Sequence, residues 1–497
     1  MEKMKVIIIG SGLGGLVCGA ILAKNGHQVS VLEQGMQIGG CLQCFSRHGV
    51  MFETGMHFIG SALPDQKLGK ILHYLEIDDK IQLSSLDSLA QNIVCINGRR
   101  FNFPCGREPF IRQMTEYFPD QKENIKEYFN LVEMVAAASS FNTFDGKDSN
   151  LSINAEYQLR SVNEVISSVI TDQLLQKVLV GILPLYAGEK DKTPFSTHAF
   201  IMEFYNQSSF RVVGGSSTIA QALKDTIEKY GGNVAENNKV TSIKCDASHA
   251  TSVIVNGTDE IVADCFISDI HPQRTLELLD TNLIRPAFRN RIMDLKNTVS
   301  GFTIYVEFKD EMMPYMNSNF FSYRYGTPWD CEKYSERTWP HGYLYMHSCA
   351  EDGARYAKSG EIISYMWMND VQKWRGTKCG HRGIDYEKFK QSKAEKLIDC
   401  VEKDFPGFRG AIKNYYTSTP LTYYEYTGTS DGSMYGIAKD INKGAYCRIH
   451  HRTKIPNLMF AGQNINSHGM LGVLVGSMIT CSELINIKSN NNNKSAD

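Results

Sequence analysis

Gly10-Ser-Gly12-Leu13-Gly14-Gly15 is the first stretch of the chain whose residue types and spacing could do chemistry. It follows a β-branched run at 5–9 and precedes Leu16, Ala20 and Ala23, an apolar stripe at helical spacing. A second short strand spans 29–32, and Glu33 stands at its end, 23 residues after Gly10. A glycine-rich turn between strand and helix, with an acid closing the next strand, is the dinucleotide-binding opening of a doubly wound sheet. Gly10 makes the tight turn, Gly12 lets the backbone approach a pyrophosphate, and Gly15 lets the helix pack on the sheet. The helix start offers free N–H groups and a positive dipole end to phosphates. Glu33 would accept hydrogen bonds from ribose hydroxyls and disfavour a 2′-phosphate.

NAD and FAD share this fingerprint. Gly39-Gly40, six and seven residues after Glu33, favours FAD, because a glycine pair lets a loop lie against a second stretch of an extended cofactor. No second strand–GxGxxG–helix unit follows, as a separate nicotinamide domain would require. Cys41-x-x-Cys44 raises the rival of a redox disulfide, but its spacing is closer than in flavin disulfide reductases and Cys44 leads into a strand expected at 45–54. No second Cys/His pair follows at finger spacing, and no metal site is expected.

The elements that must position these residues are scattered along the chain. Residues 65–205 lack regular β-α alternation and read as helical, for example at 122–138 and 164–179. Near Arg211 the α/β signal returns. Ser216 can cap a helix with the apolar face Ile219, Leu223 and Ile227, stopped by Gly231-Gly232, and strands are expected at 239–244, 252–256 and 261–268. Residues 280–450 are mixed, with aromatic-rich strands at 302–308 and 362–367. A last strand at 458–460 leads into Ala461-Gly462-Gln463 and a glycine-spaced helix. The expected fold class is α/β, with a discontinuous Rossmann-like dinucleotide domain over 1–70, 210–275 and 455–487. A second, mixed α+β substrate domain is expected over 71–209 and 276–454, and a disordered polar tail over 488–497.

Composition limits the partners. The 497 residues carry 52 Lys+Arg against 54 Asp+Glu, so no basic excess exists to neutralise nucleic-acid phosphates. Thirteen cysteines, an odd number spread from Cys18 to Cys481, do not form a secreted disulfide framework, and no signal-like segment opens the chain. A reducing, cytoplasmic setting is expected. The apolar stretch 470–485 contains Ser477, Thr480, Ser482 and Glu483 and is shorter than the ~20 residues a spanning helix needs, so it reads as a buried helix.

Beyond these features the chain resembles the FAD-dependent phytoene desaturase, carotenoid isomerase and retinol saturase superfamily, related to amine oxidases, and is most similar to its retinol saturase branch. The resemblance rests on GSGLGGL at 10–16, Glu33, Gly39-Gly40, FETGMHFIG at 52–60 and VVGGSSTIAQAL at 212–223. It continues through GGNVAENNKVTSI at 231–243, DCFISDIHP at 264–272, STPLTYYEYTGTSDGSMYGI at 418–437 and NLMFAGQNINSHGMLGVLVGS at 457–477. It implies a glutathione reductase/amine oxidase type of FAD domain. Gly10, Gly12, Gly14, Gly15, Glu33, Gly39 and Gly40, with Leu13 and Gln34 beside them, would hold the ADP half. Val240 would meet adenine through its backbone. Gly55, Met56 and His57 would lie near the flavin ring, and Gly462 and Gln463 would meet the pyrophosphate or ribityl chain. Many such flavoproteins carry Gly-Asp where this chain has Gly462-Gln463, a departure that marks the branch. A helix starting over 469–472, with Leu471 and Gly472, would point at the flavin pyrimidine end, its dipole worth ~0.3–2 kcal/mol to a negative charge.

The implied activity is saturation, desaturation or isomerisation of C=C bonds in a polyene isoprenoid by hydride transfer at flavin N5, with saturation first. A lipophilic small molecule is the implied substrate, with a separate electron donor or acceptor. His57 is the candidate proton donor when a double bond is saturated, against an equal prospect of a purely structural histidine. Tyr423, Tyr424, Tyr426 and Tyr435 either line a lipophilic tunnel or, as preferred here, pack as half-buried strand residues. Peripheral membrane contact is expected of such a substrate, and 179–210, with Ile182, Leu183, Leu185 and Tyr186, is a candidate for it. The competing readings are an amine oxidase-like enzyme acting on C–N bonds and a non-catalytic prenyl-lipid-binding protein of the same fold.

Overall fold

The computed structural model describes residues 3–139, 150–350, 353–465 and 467–492. Strands from three distant parts of the chain meet in one parallel sheet. Its order is Asn233–Ala235, Gln28–Leu32, Lys5–Ile9, Cys265–Ser268 and Leu458–Phe460. Val6, Ile7 and Ile8 are fully buried, as expected of a strand covered on both faces. Helix Leu13–Lys24 packs against helices Ser217–Lys229 and Gly469–Asn492. In register, Ile9 pairs with Leu32 and Ser268, and Ser268 pairs with Phe460, so the carboxyl ends of these strands share one edge. That edge is where open α/β sheets bind ligands.

The strand expected over 261–268 is two strands in two sheets. Asp259–Val262 closes an antiparallel sheet with Val240–Cys245 and Ala250–Val255, whereas Cys265–Ser268 enters the parallel sheet. Asp264 makes the break: its N–H donates to the Lys5 carbonyl at 2.9 Å and its Oδ2 accepts from the Lys5 N–H at 2.6 Å. The helix expected over 164–179 is also split, into Val162–Val169 and Gln173–Leu179. Asp172 restarts it by accepting from the Leu175 N–H at 2.8 Å. The strand expected over 45–54 folds into a hairpin, Cys44–Arg47 with Val50–Glu53, turned at His48-Gly49 where both residues have positive φ.

The second large sheet has seven strands, in the order Ile412–Ser418, Ser300–Phe308, Ser359–Met366, Gly342–His347, Asn319–Tyr323, Asn92–Ile96 and Arg99–Phe103. Its strands come from both sides of the 210–275 segment. One face packs a core with helix Ile384–Asp404. The other carries Phe321, Tyr323, Leu344 and Tyr365 into the main core, shared with helices such as Lys122–Ala138 and Phe195–Gln207.

Other expectations are corrected by packing. Tyr423, Tyr424 and Tyr426 lie on a helix, Pro420–Thr427, and not on a strand, because Pro420 and a Thr419–Thr422 capping box start it. Ile182, Leu183 and Tyr186 are buried, so the 179–210 stretch does not present them to a membrane. No helix among the described residues is long and apolar enough to cross one. The closing helix continues to Asn492, through residues 488–492 where a disordered tail was expected; the rest of that tail, 493–497, lies outside the described residues.

Candidate active site

The glycine loop sits at the carboxyl edge of the parallel sheet. Gly10, with φ +94°, turns the chain out of its strand, and its N–H donates to the Leu32 carbonyl at 2.9 Å. Gly12 starts helix Leu13–Lys24 without a side-chain cap bond of its own. The Gly39 N–H donates to the Ser11 carbonyl at 2.9 Å, and Gly12 and Gly39 form a parallel bridge, so the glycine pair lies directly beside the glycine loop. A Cβ on Gly14 would lie 2.8 Å from the Gly462 nitrogen. The first and last motifs of the chain therefore touch, with no room for side chains between them.

Glu33 is held at the rim: its Oε2 accepts from the Ser11 N–H at 3.0 Å and from the Ser11 hydroxyl at 2.6 Å, and its Oε1 from the Gly35 N–H at 2.7 Å. Val240 is buried at the start of its strand, and Gln34 lies near Gly428. Neither lines the cavity that runs from the glycine loop, nor do Gly10, Gly15 or Glu33.

That cavity measures about 250 Å³. Gly12, Leu13, Gly14, Gly39, Gly40, Gly462 and Gln463 wall one end. Met56 and His57 follow, with Gly469 and Met470 at the start of the closing helix. Leu471 and Gly472, expected beside them, face elsewhere: Leu471 is buried in the core, and a Cβ on Gly472 would meet Ser467 at 2.8 Å. The far end is formed by Phe58, Tyr205, Leu344, Ile363, Tyr365 and Met434. Of the four candidate tyrosines, Tyr423 and Tyr435 reach the cavity. Tyr424 instead stacks under Arg274 and Arg375, at 5.3 and 4.8 Å, and Tyr426 is exposed.

His57 is neutral in this setting. Burial, then the charge of Arg211, pushes its pKa down to about 3, and its Nδ1 is buried without a hydrogen-bond partner. Arg211 is itself buried and holds the loop by donating to the His57 carbonyl at 3.4 Å, the Ser318 carbonyl at 3.2 Å and Asn319 Oδ1 at 3.1 Å. Cys41 stands in the cavity wall, but burial and then Asp269 push its thiol up to about 11, so it is no thiolate. None of the thirteen cysteines is in a disulfide.

Sequence reasoning missed three acids. Asp269 stands in the cavity wall among the glycines, and Glu53 and Glu361 sit behind it. Asp269 had a signal: it directly follows strand Cys265–Ser268, the same strand-end position that singled out Glu33. Glu53 and Glu361 had none, since 308 residues separate them.

A glycine-lined cradle at a helix N-terminus, an acid at the second strand's end and a closing glycine from the last strand are what a dinucleotide needs. The family model for flavin-containing amine oxidoreductases matches residues 13–475. The chain belongs to this family. Its cofactor is FAD, and the glycine cradle, where added Cβ atoms would collide, fits the cofactor's approach. The all-trans-retinol 13,14-reductase of Rattus norvegicus is 28% identical over 527 residues, covering 97% of this chain and 86% of that protein. A chloroplastic prolycopene isomerase of an Oncidium hybrid cultivar is 23% identical, covering 95% and 83%. Among solved structures, an oxidoreductase from Methanosarcina mazei superposes with a TM-score of 0.65 at 17% identity, covering 96% of this chain and 99% of that one, a likeness of fold.

Proposed function

We propose that this chain is an FAD-dependent oxidoreductase acting on C=C bonds of a polyene isoprenoid, and that it saturates them. The observation that carries the reading is the far end of the cavity. Its walls are aromatic and aliphatic, and two of its hydroxyls are already engaged: Tyr323 donates to the Gly181 carbonyl at 2.5 Å and Tyr435 to the Pro184 carbonyl at 2.9 Å, while the buried Tyr365 hydroxyl has no partner. Among the described residues lining the cavity, the one carboxylate is Asp269, which belongs to the glycine cradle. An ammonium substrate would lack a counter-ion at the far end, whereas a hydrocarbon chain loses nothing there.

Bound FAD supplies hydride exchange with the substrate carbon at N5. The chain's own residues orient and exclude water. Gly12, Gly14, Gly39, Gly40 and Gly462 would hold the pyrophosphate side, and Gln463 the ribityl chain. Helix Gly469–Asn492 begins in the cavity wall, where its N-terminus favours negative charge. Neutral His57 can give up a ring proton to the neighbouring double-bond carbon, where the electron pair collects as the other carbon takes hydride, and Arg211 fixes the loop that carries it. Saturation is favoured over isomerisation by the greater identity to the retinol reductase. Thirteen cysteines, an odd number scattered along the chain, support a reducing, cytoplasmic setting, the lipophilic substrate supports reversible contact with a membrane, and the single GxGxxG unit supports a separate electron donor.

Anaerobic flavin spectroscopy tests this. All-trans-retinol or a carotenoid should reoxidise the reduced flavin, while amines leave the oxidised flavin unbleached. Bleaching by amines alone would move the chain to C–N chemistry. A colourless protein that takes up no flavin would make it a lipid carrier.

A further inference from the structure

The carboxyl group of Asp269 lies inside the glycine cradle. A Cβ on Gly12 would stand 2.4 Å from its Oδ2, one on Gly14 2.3 Å from its Oδ1, and one on Gly462 2.5 Å from its Oδ1. Three glycines from two ends of the chain thus close around one carboxyl group, at the start of helix Leu13–Lys24. This is also the ground that a pyrophosphate must approach, and an ionised carboxylate beside two phosphate charges is repulsive.

The surroundings do not neutralise it. Burial, opposed by the Gly15 N–H and reinforced by the nearby charge of Glu33, pushes Asp269 up to about 7. Cys41, across the wall, keeps its proton. His271, two residues on, is held neutral chiefly by burial, its pKa lowered to about 4, and Gln463 and Asn464 beside the cradle carry no charge. Among the described residues lining the cavity there is no Lys or Arg to pair with it.

We propose that Asp269 is a proton-dependent cofactor-binding residue: it carries a proton when the pyrophosphate is seated, so that FAD binding takes up one proton and weakens as the pH rises. The inference rests on the FAD reading of the site and adds to it a residue that sets when the cofactor is held. The sign follows from linkage. Below about 7 the carboxyl is already neutral and binding is indifferent to pH; above it, each pH unit means more protein that must first be protonated, so the dissociation constant rises about tenfold per unit.

The test uses the full chain stripped of flavin and titrated with FAD by flavin fluorescence from pH 5.5 to 9. The wild type should show that slope above about pH 7. Asp269→Asn, which keeps the shape and a hydrogen-bond donor, should bind with a flat profile and at pH 8.5 at least about tenfold more tightly than wild type. Parallel slopes in the two proteins would overturn the proposal. Should the variant fail to fold, calorimetry on the wild type in two buffers of different ionisation heat still decides it. About one proton taken up per FAD at pH 8.5, falling towards none at pH 6, supports the proposal, and no uptake at either pH overturns it. FAD binding without pH dependence defeats this inference alone; no FAD binding at any pH defeats the flavin reading too.

Discussion

Glu361 accepts the backbone N–H of Glu53 on its Oε1 at 3.4 Å, and the charge of Glu53 helps to raise the Glu361 carboxyl. Burial first, then the charge of Glu53, pushes Glu361 up to about 8 against the relief from Arg211, so it is protonated at neutral pH. Glu53 is raised as well, by burial, against hydrogen bonds from Ser216 and Cys44. The hairpin Val50–Glu53 is thereby tied to strand Ser359–Met366 and to the start of helix Ser217–Lys229.

A stability prediction comes from that pair. A carboxyl whose folded pKa is raised contributes fully below its unfolded value, and the contribution is lost as the pH rises through about 8. Glu361→Gln removes the loss, because an amide has no proton to give up. Its unfolding free energy relative to wild type should improve by roughly 1–3 kcal/mol between pH 5 and pH 8.5. Denaturant unfolding at both pH values checks this, and an unchanged difference would show that Glu361 is ionised in the folded protein.

The cradle predicts a loss of flavin without a loss of fold. Gly14→Ala places a Cβ 2.8 Å from the Gly462 nitrogen and 2.3 Å from Asp269 Oδ1. The two loops must part, and FAD occupancy on purification should fall about tenfold or more while the far-ultraviolet dichroism stays that of wild type. Full yellow colour in this variant would mean that the loops are not gripping the cofactor.

Removing the His57 ring separates its roles. His57→Ala should retain FAD and lose about 10²–10⁴-fold in double-bond saturation if the ring delivers the proton. With its pKa at about 3, His57 should add no inflection to the rate profile between pH 5 and 8. Wild-type turnover in the alanine variant would leave His57 a structural residue.

Filling the far end of the cavity should affect the substrate alone. Ile363 lines it, on the same sheet face as Tyr365. Ile363→Trp should raise the KM for a polyene by about tenfold or more with flavin content unchanged, since the bulk lies away from the glycines. An unaltered KM would place the substrate elsewhere.

Much of the cofactor end was legible because its signals are local. Gly10, Gly12, Gly15 and Gly39 are fixed by what a few consecutive backbone units must do: turn, approach, and carry positive φ or lack a side chain. The split parallel sheet was likewise readable, since buried strands such as Lys5–Ile9 and Leu458–Phe460 announce themselves as apolar runs. Leu471 was misplaced because helical phase near a helix start cannot be read from spacing. The tyrosines of 423–426 were given the wrong element because the Thr419-Pro420 start outweighs the β propensity of tyrosine.

By itself the sequence determined the dinucleotide cradle, the parallel sheet that carries it and the class of cofactor, because each depends on neighbours within a few residues. Only the tertiary structure decided that Asp269 enters the cradle, that Glu53 meets Glu361 and that His57 stays uncharged. The protonation state of a carboxyl or an imidazole is set by the water it loses and the charges it gains, and both arrive from segments hundreds of residues away.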